Sequence, residues 1–157
     1  MINTPTSLLL GLEGGAVYRS TDHGTAWTSP TTEVNAIGGN ISGFATSGTA
    51  LLLSTTRNGV YRSTDDGVTW GVSSGGLTGN GLYINAIVTK GGIGILATLG
   101  GPFRSTNNGS SWVLSSSGLP TDTTFDALLA TPTALFLGSD AGAGVFVSTD
   151  DGDLPCL

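Results

Sequence analysis

Five basic and eleven acidic side chains in 157 residues give a net charge of −6, which leaves no cationic footprint for a phosphate backbone or an anionic bilayer and argues against both as partners. Only a tenth of the residues are charged while 26 are glycine, a composition that suits short strands joined by tight turns and disfavours helical bundles. The one cysteine, Cys156, rules out an intrachain disulfide and reads as a solvated tail thiol, able only to join a second chain or a small thiol.

In chain order, apolar runs of four to six residues punctuated by Gly, Asn, Ser and Pro form one unit written four times. Residues 7–12 are the most leader-like segment, yet no basic region precedes them and they are too short for a membrane span. Residues 7–10 read instead as a strand, with another at 17–20. A polar turn holding Ser20, Asp22 and Gly24 then reaches Trp27, where a further strand begins. The second unit is complete, with strands at 41–46, 50–53 and 60–63, then Ser63, Asp65, Gly67 and Trp70. The third repeats it at 84–89, 93–97 and 103–105, followed by Ser105, Asn107, Gly109 and Trp112. The fourth has strands at 125–130, 134–137 and 145–148, then Ser148, Asp150 and Gly152 with no tryptophan.

The serines that open these turns recur every 42 or 43 residues, the length of one four-stranded antiparallel blade. The expected fold is therefore all-β, a β-propeller of about four blades forming a single repeat domain over 1–157. The blades are expected near 1–33, 34–78, 79–119 and 120–157. Because 3–8 (NTPTSL) aligns with 130–135 (ATPTAL), the first blade lacks most of its inner strand, and the last lacks most of its outer one. Such open ends predict self-association into a homo-oligomer. A small closed ring and an open segment of a longer protein are the alternatives.

The turns at 20–27 and 63–70 both fit S-x-D-x-G-x-x-W. They resemble the Asp-box, or BNR repeat, of sialidases, sortilin-type receptors, xyloglucan-cleaving hydrolases and photosystem II assembly factor-like proteins. The resemblance covers nearly the whole chain, with two full copies and two degenerate ones. Physically, a carboxylate at Asp22 or Asp65 can accept hydrogen bonds from turn amides, the glycines can take positive φ, and the tryptophan rings can cover the hairpin. Asn107 keeps the acceptor without the charge, which suits a turn and not a catalyst.

Polar residues recur at the second position of the first strands, Ser42, Asn85 and Asp126, each followed by a small residue, Gly43, Ala86 or Ala127. In a propeller these positions lie near the axis, where small residues admit close backbones and polar ones can face a watered channel. A sialidase-like site would need converging arginines, but Arg19, Arg62 and Arg104 share one repeat position and only Arg57 stands apart. A two-carboxylate glycosidase needs acids roughly 5 to 9 Å apart across a cleft. Glu13, Glu33, Asp122, Asp126 and Asp140 are the acids outside the turns, and Asp126 with Glu13 and Asp140 is the best such set. Solvated loop acids are the favoured reading of them.

No metal site is expected: Asp65 with Asp66, and Asp150 with Asp151, lack the alternating ligands and terminal glutamate of an EF-hand. His23, the one histidine, sits at a variable turn position and reads as solvated. No cofactor is expected. The acceptor patterns at Asn40 and Asn108 are frequent by chance in so Asn- and Ser-rich a chain.

These features favour a noncatalytic propeller scaffold that binds a protein or glycan through the loops 28–40, 72–83 and 114–124, with Glu13, Arg57 and Asp140 beside them. Two alternatives are a fragment of a secreted glycoside hydrolase and a surface or filament subunit. A secreted or cell-surface setting is what the resemblance implies, without a signal peptide in view.

Overall fold

The computed structural model describes residues 1–29, 39–120, 123–140 and 142–149. Among these residues, fourteen strands form four antiparallel sheets. The first holds β1 (Ile2–Asn3), β2 (Leu8–Gly11) and β3 (Val17–Ser20), with an isolated bridge from Arg19 to Thr28 where a fourth strand would run. The second holds β4 (Ile41–Ser47), β5 (Ala50–Thr55), β6 (Val60–Ser63) and β7 (Gly71–Val72). The third repeats it with β8 (Ile84–Lys90), β9 (Ile93–Thr98), β10 (Gly101–Ser105) and β11 (Val113–Leu114). The fourth holds β12 (Phe125–Ala130), β13 (Leu135–Ser139) and β14 (Val145–Ser148). Each fourth strand begins one residue after its tryptophan and is only two residues long, shorter than the apolar runs suggest.

Local chemistry sets the hairpins. Lys90 pairs with Ile93 across Gly91 and Gly92, whose φ values of 59° and 85° are those a two-residue hairpin loop demands and side chains resist. In the meandering sheets, successive residues of the second strand face opposite neighbours. Leu51 and Leu53 join Leu9 and Val17 of the first sheet in one core with Trp70. Leu52 points the other way, into a core with Ile84, Leu96, Phe103 and Trp112. A third core joins Ile95 and Ala97 to Leu135, Leu137 and the edge-on pair Phe125–Phe146. All six residues of β5 are buried, because a sheet between two others hides both faces. Among the described residues no core joins the fourth sheet to the first.

Candidate functional site

The meander puts two kinds of chemistry at opposite ends. At one end lie the openings of β4, β8 and β12 and the loops entering β3, β6, β10 and β14. Here Ser42, Asn85 and Asp126 share an unforeseen geometry. Each is skipped in the pairing of its strand with the next, which jumps from Ile41 to Gly43, Ile84 to Ala86 and Phe125 to Ala127. A β-bulge leaves the extra residue off the ladder and re-aims its side chain. Asn85 uses this to reach the neighbouring sheet, donating to the Phe125 carbonyl at 3.0 Å and to Asp126 Oδ1 at 2.6 Å. Ser42 stays within its own sheet, its Oγ 2.9 Å from Ser54 Oγ. Gly43 is tight for the reason close sheets require, since a Cβ there would stand 2.8 Å from the Ile87 side chain.

The loop residues are exposed at the same end. Glu13 opens a short 3-10 turn whose Gly14 amide donates to Asn40 Oδ1, and Arg57 lies where a Cβ on Gly39 would touch it. Asp140 accepts a hydrogen bond from the Thr124 hydroxyl, two residues before Asp126. The structure thus brings Asn85, Asp126 and Asp140 to one neighbourhood, while Glu13 and Arg57 belong to the first and second sheets. Beside that neighbourhood a cavity of about 330 Å³ opens between the third and fourth sheets, bounded by Asn80, Gly100, Ser116, Leu119, Thr123 and Phe125. Glu33 and Asp122 lie outside the described residues.

The opposite end carries the polar turns, built alike in three sheets. Ser20 Oγ donates to Asp22 Oδ1 at 2.8 Å and accepts from the Gly24 amide, while Asp22 Oδ1 accepts from the Ala26 amide. Ser63, Asp65, Gly67 and the Thr69 amide repeat this, as do Ser105, Asn107, Gly109 and the Ser111 amide. Gly24, Gly67 and Gly109 take φ of 88°, 82° and 76°. The Ala26 amide and Ser20 hydroxyl hold the Asp22 carboxyl below its usual range. For Asp65, burial pushes upward but the Thr69 hydroxyl and amide and Ser63 prevail, so its pKa is also lowered. Trp27 and Trp70 donate to the carbonyls of Gly24 and Gly67, whereas Trp112 donates to Ser73 of the preceding sheet. Ser148 is fully buried; Asp150 and Gly152 lie outside the described residues.

Sequence reasoning missed a clasp at this end. The residue before each turn glycine, His23, Asp66 or Asn108, is itself left-handed, with φ of 58°, 57° and 56°. Asp66 reaches back to the first sheet, accepting from Thr4 Oγ at 2.8 Å, Thr6 Oγ at 2.6 Å and Arg19 Nη2 at 2.7 Å, while Arg19 Nε donates to its carbonyl. Burial works against that carboxylate, yet Thr6, Arg19 and Thr4 together lower its pKa to about 2. Arg62 Nε likewise donates to the Asn108 carbonyl. The position read as a variable turn residue is therefore an intersheet contact in two copies. The repeated Thr-Pro-Thr and the recurrent third-strand arginine were its available signals.

Among the described residues no group of three or more His, Cys, Asp or Glu is placed to hold a metal ion, and no helix is long and apolar enough to cross a membrane. Four such sheets define the class as a β-propeller architecture. No protein-family model matches the chain, and no curated protein matches by sequence. Solved propellers do match in structure. The extracellular domain of BT4673 from B. thetaiotaomicron aligns with a TM-score of 0.71 at 16% identity, over 99% of this chain and 21% of that one. YCF48 bound to D1 peptide aligns at 0.66 and 19%, over 99% and 51%. An ancestral GH74 enzyme aligns at 0.68 and 17%, over 99% and 23%. The chain therefore spans about a fifth to a half of the length of these propellers, and identities this low speak for the fold alone.

Proposed function

We propose that this chain is a noncatalytic propeller module, a single repeat domain of Asp-box blades over 1–157, that binds an extended protein segment at the loop end. The observation that carries this reading is the cavity between the third and fourth sheets. Its lining is mixed, with the almost wholly buried Leu119 and Phe125 standing among Asn80, Ser116 and Thr123, and just beyond Phe125 the Asn85–Asp126 pair adds a carboxylate and an amide. Polar groups set around a partly apolar hollow suit recognition of a side chain and its backbone. The matched YCF48 carries a D1 peptide, and the extracellular domain among the matches favours a secreted or cell-surface setting. The regular bonding of Ser, Asp or Asn, and Gly supports the Asp-box reading as a turn lock.

A glycan ligand or a glycoside hydrolase fragment is the second reading, favoured by Asp140 beside Thr124 near Asp126 and by the GH74 enzyme among the matches. Arrays of extended peptides and of oligosaccharides, probed with the wild-type chain and with Asp126→Ala and Thr123→Trp, separate the two. Peptide binding lost in both variants is the expected result. Hydrolysis of a xyloglucan oligosaccharide that disappears in an Asp126, Asp140 and Glu13 triple variant would overturn the noncatalytic reading.

A further inference from the structure

The two outer faces of the sheet series are the two halves of the interface used three times inside it. In the second sheet, Leu51, Leu53, Tyr61 and Trp70 face the preceding sheet and are packed into a core. Their equivalents in the first sheet are Leu8, Leu10, Tyr18 and Trp27, by the shared pairing of Leu8 with Ser20 and Leu51 with Ser63. Trp27 there is 36% exposed against 6% for Trp70. On the fourth sheet, Leu129, Phe136 and Val147 lie in one cross-strand row, where the second sheet has Ala45, Leu52 and Arg62. Leu129 is 59% exposed against 6% for Ala45, and Phe136 is half-buried where Leu52 is fully buried.

The match extends to the parts that lock each junction. Gly67 is the seat for Leu9 and Gly109 for Leu52, each so close that a Cβ would push the leucine aside. Gly24 has the same φ, but a Cβ on it would meet only Trp27 and Leu8 of its own sheet. Beside it, a hollow of about 400 Å³ is bounded by the first sheet's own Thr4-Pro5-Thr6 turn with Leu8, Ser20 and His23. That turn is present on the fourth sheet as Thr131, Pro132 and Thr133. The charges change together: the fourth sheet has Val147 where Arg19 and Arg62 stand, and the first has His23 where Asp66 and Asn108 stand. Val147 and His23 thus replace both members of the Arg19–Asp66 ion pair together, which leaves neither charge without its partner.

We infer that the fourth sheet of one copy docks on the first sheet of a second copy, with Phe136 seated over Gly24 and Trp27, in a head-to-tail junction that closes when two copies meet twice. Two is the smallest number of copies in which both outer faces of every copy are covered. Heterologous contacts form rings when the rotation closes. The inference is independent of the ligand reading.

Light scattering across a dilution series, with reductant present to remove any Cys156 bridge, tests it. The expected result is twice the 15.7 kDa chain mass, falling to one chain on dilution. Leu129→Asp and Trp27→Asp alter opposite halves of the junction at exposed positions, so each alone is expected to be monomeric with unchanged circular dichroism. Mixed, they retain one intact junction between them and are expected to recover a two-chain species. A wild-type monomer at every concentration would overturn the inference, as would a dimer that both variants leave intact.

Discussion

Trp27 and Trp70 close turns that are nearly superimposable in their bonding, yet one ring is 36% exposed and the other 6%. Both indole N–H groups donate to the carbonyl of the turn glycine, at 3.1 and 3.2 Å, and the turn aspartates accept from the corresponding amides of Ala26 and Thr69, each at 2.9 Å. Phe44 of its own sheet packs on Trp70 with ring centroids 6.3 Å apart, and the rest of the difference lies in the neighbour. The second sheet's ring is covered by the first sheet, whereas among the described residues no core forms on the first sheet's own outer face. The turn is thus a local device that forms from its own residues, while most of the burial that stabilises a sheet comes from the next sheet along.

The largest separation of the two sites is expected from truncating the rings. Trp70→Ala should cost about 3–5 kcal/mol, the range for deleting a buried aromatic, and Trp27→Ala about 1 kcal/mol, as for a partly exposed apolar side chain. Urea midpoints of the two variants check this, and equal losses would erase the comparison. Next in size is Gly67→Ala, expected to cost about 2–4 kcal/mol, because the methyl takes a left-handed backbone and also presses on Leu9. Gly24→Ala meets no such neighbour and should cost about 1 kcal/mol from backbone strain alone.

Acid sharpens the comparison from the clasp side. The folded pKa of Asp66 is about 2, below its ordinary 3.8, so its contribution is full above about pH 4 and is lost as pH falls towards 2. With its side chain 28% exposed, that contribution is about 1–2 kcal/mol after solvent screening. Asp66→Asn should be less stable than wild type by this amount at pH 6, with the two converging near pH 2; a gap that persists at pH 2 would count against the clasp. The smallest effect belongs to the exposed Asp126→Asn, expected to leave stability within about 0.5 kcal/mol while weakening peptide capture at the loop end.

Much of the fold was legible because a repeat states its own period. The serine spacing, the apolar runs and the turn glycines located β4, β8 and β12 almost to the residue, and the small Gly43 marked the close approach to Ile87. The bulges at Ser42, Asn85 and Asp126 were not legible, because a polar residue before a small one reads the same whether the strand is regular or interrupted. The clasp was hidden for another reason. Arg19 and Asp66 are 47 residues apart, and only the stacking of one sheet on the next, with its register, makes them partners. His23 looked like an arbitrary turn residue until Asp66 and Asn108 showed what its position touches.

Three single-tryptophan chains, each keeping Trp27, Trp70 or Trp112 with phenylalanine at the other two sites, permit the most direct measurement: acrylamide quenching of each ring over a concentration series. At high dilution Trp27 should be quenched strongly and the other two weakly, and protection of Trp27 alone should rise with concentration as a second copy covers it. Three rings equally protected at every dilution would contradict the claim that the neighbouring sheet, and not the turn, makes the difference. Quenching of Trp27 that never changes with concentration would contradict the docking of a second copy.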